Sequence, residues 1–244
     1  MKLLAFDTST DTLSIAVQRG TGAAAQCWQY QGAGGAQASA ALIATVLDLL
    51  QQAQLKLGQL DAICFGSGPG SFTGLRTACA VAQGLAFGAQ VPVLPVDSLL
   101  ALAETARHAQ LAAQAQGQVM ALLDARMDEM YMARFAFAGG HWQRQSATCL
   151  LRPEALQLDA QAGLSLAGNV FEVYAGRLAW PAGTLCLPAL PSASAMLRLA
   201  PEMLEQGLAV TAAQAFPTYI RDKVAQTTDE RAAIKAAQAA AQSA

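Results

Sequence analysis

Apolar and polar positions along this chain switch between two periods, and the switches mark its elements. Leu3-Leu4-Ala5-Phe6 is a short apolar run. After the polar interval Asp7–Thr12, the stretch Leu13-Ser14-Ile15-Ala16-Val17-Gln18 sets larger apolar residues at every second position. That period belongs to a paired strand, so the two runs predict a hairpin. Gly32–Gly35 predict a flexible loop, and Ala36–Gln52 reads as a helix. Ala62-Ile63-Cys64-Phe65 leads as a strand into a small-residue turn, and the apolar segment from Ser71 to about Phe87 predicts a helix capped by Ser71. Pro92 and Pro95 make Val91–Val96 extended, after which Asp97 or Ser98 caps another helix to about Ala109.

The interval 110–118 is the best candidate for a lobe boundary, and beyond it the opening pattern returns. Val119–Leu123 leads into Asp124, and a second alternating strand carries Tyr131, Ala133, Phe135 and Phe137. Strand, aspartate, turn and strand at the head of each half suggest duplication of one unit. The second half is poorer in recognisable elements: a proline-started turn at Pro153, a strand at Leu164–Ala167, Gly168-Asn169, and a helix from about Ser192 interrupted near Pro201. The expected organisation is a first lobe over 1–110, a smaller second lobe over 119–225 whose last helix packs back on the first, and a weakly ordered Ala/Gln-rich tail over 226–244. This plan fits the α/β actin-like (ASKHA) nucleotide-binding fold, in which two related lobes, each a mixed sheet with flanking helices, face a cleft.

Composition narrows the class. The 244 residues are 54% hydrophobic and 13% charged, and abundant alanine is the simplest cause. Gln83, Gln90, Pro92 and Pro95 interrupt the richest apolar region before it reaches membrane-spanning length. Lys2 is followed by only four apolar residues before Asp7, unlike a secretory signal, so a cytoplasmic location is expected. The five cysteines (Cys27, Cys64, Cys79, Cys149, Cys186) show no paired spacing and are expected to be reduced and mostly buried. His108 and His141 form no metal-binding pair. A net charge of −2 provides no basic stripe for a phosphate backbone.

The turn Gly66-Ser67-Gly68-Pro69-Gly70-Ser71-Phe72-Thr73-Gly74-Leu75-Arg76-Thr77 carries the sharpest signal. It lacks the lysine of a Walker A loop, has Ser71 where a dinucleotide fingerprint needs glycine, and has Phe72 at the centre of Gly70–Gly74 where a nucleophile elbow needs serine. Locally, a purely structural turn and an anion-binding one both stand. The longer string Gly-Pro-Gly-Ser-Phe-Thr-Gly-Leu-Arg, with Asp7-Thr8-Ser9-Thr10, Leu123–Tyr131 and Pro217-Thr218-Tyr219-Ile220-Arg221, closely resembles the TsaB (YeaZ) family over nearly the whole chain. The resemblance implies the actin-like fold and a non-catalytic subunit that binds and activates TsaD. TsaD transfers threonylcarbamoyl from threonylcarbamoyl-AMP to N6 of adenosine 37 in tRNAs reading codons that begin with A. The implied partners are TsaD in a heterodimer and the ATPase TsaE. The chain alone is expected to form a homodimer and to meet tRNA only through the complex. No cofactor is implied for this chain itself, and the resemblance leaves open whether ATP or ADP binds at the subunit junction. An independent actin-fold ATPase or kinase is the alternative, and a peptidase a weaker one.

The residues themselves favour the non-catalytic reading. Asp7, Thr8 and Ser9 form a turn that suits a hydrated Mg²⁺, but a carboxylate there more simply binds the N–H groups of its own turn. The matching turn, Asp124-Ala125-Arg126-Met127, has no glycine and two bulky side chains that obstruct a phosphate, so both are degenerate phosphate turns. Asp124 and Arg126 are expected to pair across their turn. Arg76 suits either a partner or anion contact or a solvent-reaching stem, whereas Tyr219 and Arg221 are expected to pack. The helices at 38–50 and 72–87 are apolar around most of their circumference, which calls for cover from the fold or from another chain. Leu42, Ile43, Val46, Leu47 and Leu50 on the first, with the small-residue ridge Gly74, Ala78, Ala82 and Ala86 on the second, are the expected partner surface. The alternative is that the ridge packs on its own sheet.

Overall fold

The computed structural model describes residues 1–158 and 163–221. Its first half runs β1 (Lys2–Asp7), β2 (Thr12–Arg19), β3 (Gln26–Ala33), α1 (Ala36–Gln52), β4 (Ala62–Gly68), α2 (Phe72–Ala89), β5 (Val93–Asp97) and α3 (Ser98–Gln110). The second runs β6 (Gln116–Asp124), β7 (Met130–Ala138), β8 (His141–Arg144), β9 (Cys149–Leu151), β10 (Leu164–Gly168), α4 (Val170–Val173), β11 (Leu185–Pro188) and α5 (Ala193–Glu205). The expected starts of α2 and α3 rest on their caps. Ser71 Oγ accepts the Gly74 N–H at 3.4 Å, and Asp97 Oδ1 accepts the N–H groups of Leu99 and Leu100 at 2.7 and 3.0 Å.

The sheets make the duplication explicit. The first has the order β3-β2-β1-β4-β5 and the second, read from its other edge, β8-β7-β6-β10-β11. In each, the opening hairpin is antiparallel and the two later strands join in parallel. This is the actin-like α/β arrangement of two related mixed sheets. The second copy is trimmed: α4, of four residues, stands where the first half has the 18-residue α2.

The lobes exchange helices. Leu99, Leu102, Ala103 and Ala106 of α3 pack with Val119, Ala121 and Phe135 of the second sheet. Ala193, Met196, Leu197 and Ala200 of α5 pack with Leu3, Ala5, Cys64 and Val96 of the first. The opposite face of the first sheet is covered by α1 and α2. The α3 helix is therefore common to both cores, and the turns at the ends of β1 and β6 face one another across a cleft.

Four expectations need correction. Gly32 lies inside β3, a mostly exposed edge strand in which Trp28 and Tyr30 alternate with Gln29 and Gln31 and Trp28 packs on the first core. Pro201 does not interrupt α5: burial of Leu197, Leu199 and Ala200 holds the helix to Glu205 although proline lacks one N–H donor. The boundary segment is shorter than 110–118 because β6 already starts at Gln116. Of the five thiols only Cys64 and Cys79 are buried, Cys27 being exposed on β3. The Ala/Gln-rich tail lies outside the described residues.

Candidate functional site

The cleft between the lobes, about 280 Å³, is lined by the turn after β1 (Ser9, Thr10, Asp11), the β4–α2 turn (Gly70, Ser71) and the turn after β6 (Asp124 to Met127), with Thr218 to Arg221 alongside. Each turn is built by close backbone contact. The Ser71 N–H donates to Ser9 O at 2.7 Å, and Thr8 Oγ1 donates to Gly74 O at 2.7 Å. A Cβ at Gly70 would lie 2.6 Å from Ser9 O, and one at Gly74 would lie 1.8 Å from Thr8 O. These glycines are thus required for the turn to clamp the end of β1. That contact favours the structural reading, because it engages the Ser71 N–H that an anion would need.

Asp7 lies beneath this clamp, fully buried and outside the cleft lining. Its Oδ1 accepts the Ser9 N–H at 2.8 Å and the Ser9 hydroxyl at 2.7 Å. Its Oδ2 has no partner and faces Gly66, where a Cβ would lie 1.9 Å away. Desolvation pushes the carboxyl up to about 6 against the two Ser9 hydrogen bonds. Thr8, also buried, is tied to α2 by its hydroxyl.

The second turn is closed by the Ala125 N–H on Glu129 O (2.9 Å) and the Glu129 N–H on Arg126 O (3.2 Å). Arg126, Met127 and Asp128 all take left-handed backbone angles, φ 61°, 58° and 59°, with no glycine among them. Asp124 Oδ1 accepts the Tyr174 hydroxyl at 2.7 Å and the Arg126 N–H at 3.0 Å, while the Arg126 guanidinium stands 3.4 Å from Oδ2. The same guanidinium crosses the cleft to the Asp11 carboxylate. The expected Asp124–Arg126 contact is present, and the bond across the cleft adds to it.

The segment after Ala215 ties both lobes. The Thr218 N–H donates to Ser67 O at 2.6 Å, and Tyr219 Oη accepts Arg76 Nε at 3.1 Å. The Arg76 guanidinium, on an exposed side chain, lies 3.8 Å from the Phe72 ring centroid and stacks on it. Arg221 binds Glu129 and donates to Arg126 O at 3.2 Å. Asp11, Asn169 and Tyr174 carry no sequence signal as site residues, because their partners Arg126 and Asp124 lie far away along the chain. Among the described residues no group of three or more His, Cys, Asp or Glu side chains could hold a metal ion.

The expected partner surface is largely inside the protein. Leu42, Val46, Leu50, Ala78, Ala82 and Ala86 are buried against the first sheet, and Gly74 is pressed on Thr8. The small-residue ridge is what lets α2 sit close to its own strands. Ile43, Leu47 and Phe87 remain outside, at 47, 51 and 81% exposure.

Comparison with known proteins places this architecture. The family model "TsaD: tRNA N6-adenosine threonylcarbamoyltransferase" matches residues 35–229. The tRNA threonylcarbamoyladenosine biosynthesis protein TsaB of Escherichia coli K12 is 32% identical over 237 residues, covering 92% of this chain and 96% of that one. The chain belongs to the TsaB (YeaZ) family. TsaB of Haemophilus influenzae is likewise 32% identical, over 92% of this chain and 95% of its own. The solved YeaZ from Pseudomonas aeruginosa superposes with a TM-score of 0.79 at 35% identity, covering 89% of this chain and 99% of that one. Seen within the TsaB family, the cleft is an actin-like cleft whose turns are engaged with each other. No described helix is long and apolar enough to cross a membrane.

Proposed function

We propose that this chain is a non-catalytic subunit of the tRNA threonylcarbamoyladenosine pathway that binds TsaD and activates its transfer of threonylcarbamoyl to N6 of the tRNA adenosine. The single observation that carries the reading is the commitment of the cleft groups to one another. Asp124 serves Tyr174 and Arg126, and Arg126 reaches Asp11, while Asp7 is buried beneath the cleft and bound to Ser9. A nucleotide seated in the cleft would have to displace the Arg126 contacts and would find the Asp7 carboxylate out of reach. The names of the relatives supply the pathway, and the match to the TsaD family model supports a pairing between related folds.

The surface this reading assigns to TsaD is the exposed apolar set Ile43, Leu47 and Phe87 on α1 and α2. Single changes to glutamate at these positions touch no buried packing. Each variant, once shown to be folded by circular dichroism and melting, is expected to lose assembly with TsaD and the activity of the reconstituted complex. Folded variants that assemble at wild-type affinity would place the interface elsewhere. ATP turnover by the isolated chain that disappears in Asp7→Ala would replace the reading with that of an actin-fold ATPase.

A further inference from the structure

The links that cross the cleft differ in exposure. The Arg126–Asp11 pair is 67 and 80% exposed, and solvent weakens it. Segment 215–221 crosses beside it with contacts that are better covered. At its first-lobe end, Ala215 O accepts Gln83 Nε2 at 2.9 Å and the Cys79 thiol at 3.3 Å. The Thr218 N–H donates to Ser67 O, and Tyr219 sets its ring 5.2 Å from that of Phe72 while accepting Arg76 Nε. The next residue, Ile220, packs on the second core. Arg221, with a side chain only 11% exposed, ends on the β6–β7 turn. It binds the Glu129 carboxylate, donates to Arg126 O at 3.2 Å and sets Nη1 3.1 Å from Met127 Sδ.

That turn is one its residues do not favour by themselves. Arg126, Met127 and Asp128 all sit at left-handed angles. A side chain with a Cβ makes that region costly, and only glycine enters it freely. Three such residues in a row stay there because the surroundings hold them. The Ala125 and Glu129 N–H groups close the turn on its own carbonyls. From outside it, Arg177 reaches the Asp128 carboxylate, but that pair is 39 and 67% exposed. Arg221 is the covered cation, and it holds the turn by backbone as well as side chain. Charge-assisted bonds shielded from water are the stronger kind.

We propose that segment 215–221 is a strap that couples α2 to the β6–β7 turn. Arg221 holds the turn left-handed, and loosening either end of the strap lets the turn relax and withdraws Arg126 from Asp11. The turn is thus an element with two positions, and the strap sets which one it takes. The strap's other anchor, Arg76, lies about three helical turns from Phe87 on the same side of α2. A partner seated on that side meets the anchor directly. The bearing of this on TsaD rests on the function proposed above; the coupling within the chain does not.

The test reads amide exchange in the full chain without TsaD, so failure of the strap and failure of the proposed function are separate results. The reporters are the Ala125 and Glu129 N–H groups. Arg221→Ala is expected to speed their exchange by about tenfold or more, with the amides of β1 and β10 unchanged. Adding Met127→Gly is expected to return most of the protection, because glycine takes the left-handed angle freely and the sulfur contact is already gone. Arg76→Ala removes the Tyr219 anchor from an exposed position on α2 and leaves every turn contact in place. It is expected to speed the same two amides by about threefold. Exchange indifferent to Arg221→Ala would show that the turn holds itself. Absence of recovery with Met127→Gly would show that the left-handed angles are not what the strap maintains. Indifference to Arg76→Ala would show that the strap does not reach α2, and any of the three overturns the proposal.

Discussion

The Arg126 guanidinium, carried on the turn that opens the second half, reaches the Asp11 carboxylate on the turn that opens the first. Duplication makes these turns equivalent, and each faces the space where the related lobes meet. The side chain that joins them comes from a left-handed turn built without glycine. The pair is nonetheless 67 and 80% exposed, so solvent and salt screen it. Arg126→Ala is expected to cost less than about 1 kcal/mol. Urea titration against the wild type checks this, and a larger loss would show that the contact holds the lobes together.

Asp7 gives stability a pH dependence of known sign. Its folded-state value, about 6, lies above the ordinary 3.8, so the folded protein favours the protonated acid. The contribution is fully present below pH 3.8 and is lost as pH rises through 6. Carrying the carboxyl from 3.8 to about 6 corresponds to roughly 3 kcal/mol. Between about pH 4 and 7 the wild type is expected to lose stability relative to Asp7→Asn, most of it by about pH 6.5. Parallel urea midpoints for the two proteins would refute the assignment.

Two glycines on one helix should respond with opposite signs. Gly74→Ala puts a Cβ 1.8 Å from Thr8 O, a backbone atom in the clamp, and is expected to cost about 3 kcal/mol or more. Gly84→Ala meets nothing within 4 Å and is expected to gain up to about 1 kcal/mol from helix propensity. Thermal melts of the two variants decide both.

Glu104 is the buried carboxylate between the lobes, only 2% exposed. It accepts Arg107 Nε at 2.7 Å, Arg198 Nε at 2.6 Å and Trp142 Nε1 at 3.0 Å. It joins α3, α5 and β8, so Glu104→Ala strips the acceptor from three side chains on three elements. A cost of about 3 kcal/mol is expected, measured by denaturant titration. A change under about 1 kcal/mol would mean that water replaces the carboxylate.

The free chain is expected to bind tRNA only weakly, since its net charge is −2. Filter binding at physiological salt checks this. Submicromolar affinity that falls steeply with salt would contradict it.

Local chemistry made much of the fold legible. The β1–β2 hairpin, the bounds of α1 at Ala36–Gln52, and the caps Ser71 and Asp97 follow from apolar period, glycine and side-chain oxygens within a few residues of each other. The return of strand, aspartate and strand at Val119–Phe137 was legible for the same reason, since a repeated pattern needs no knowledge of contacts. β3 was not legible, because Gly32 reads as a loop former and the Trp28–Tyr30 alternation is short and lies on a mostly exposed edge strand.

What the sequence by itself determined is which residues need cover; what only the tertiary structure decided is what covers them. Ala78, Ala82 and Ala86 read equally well as a ridge for a partner or for a sheet, and the structure sets them on β1 and β4. The exchange of α3 and α5 between lobes and the reach of Arg126 to Asp11 arise the same way. A hydrophobic period records that a face leaves water, and burial of apolar area is indifferent to the surface that provides it. The choice among surfaces is made by chain connectivity and close packing, which join positions far apart along the chain.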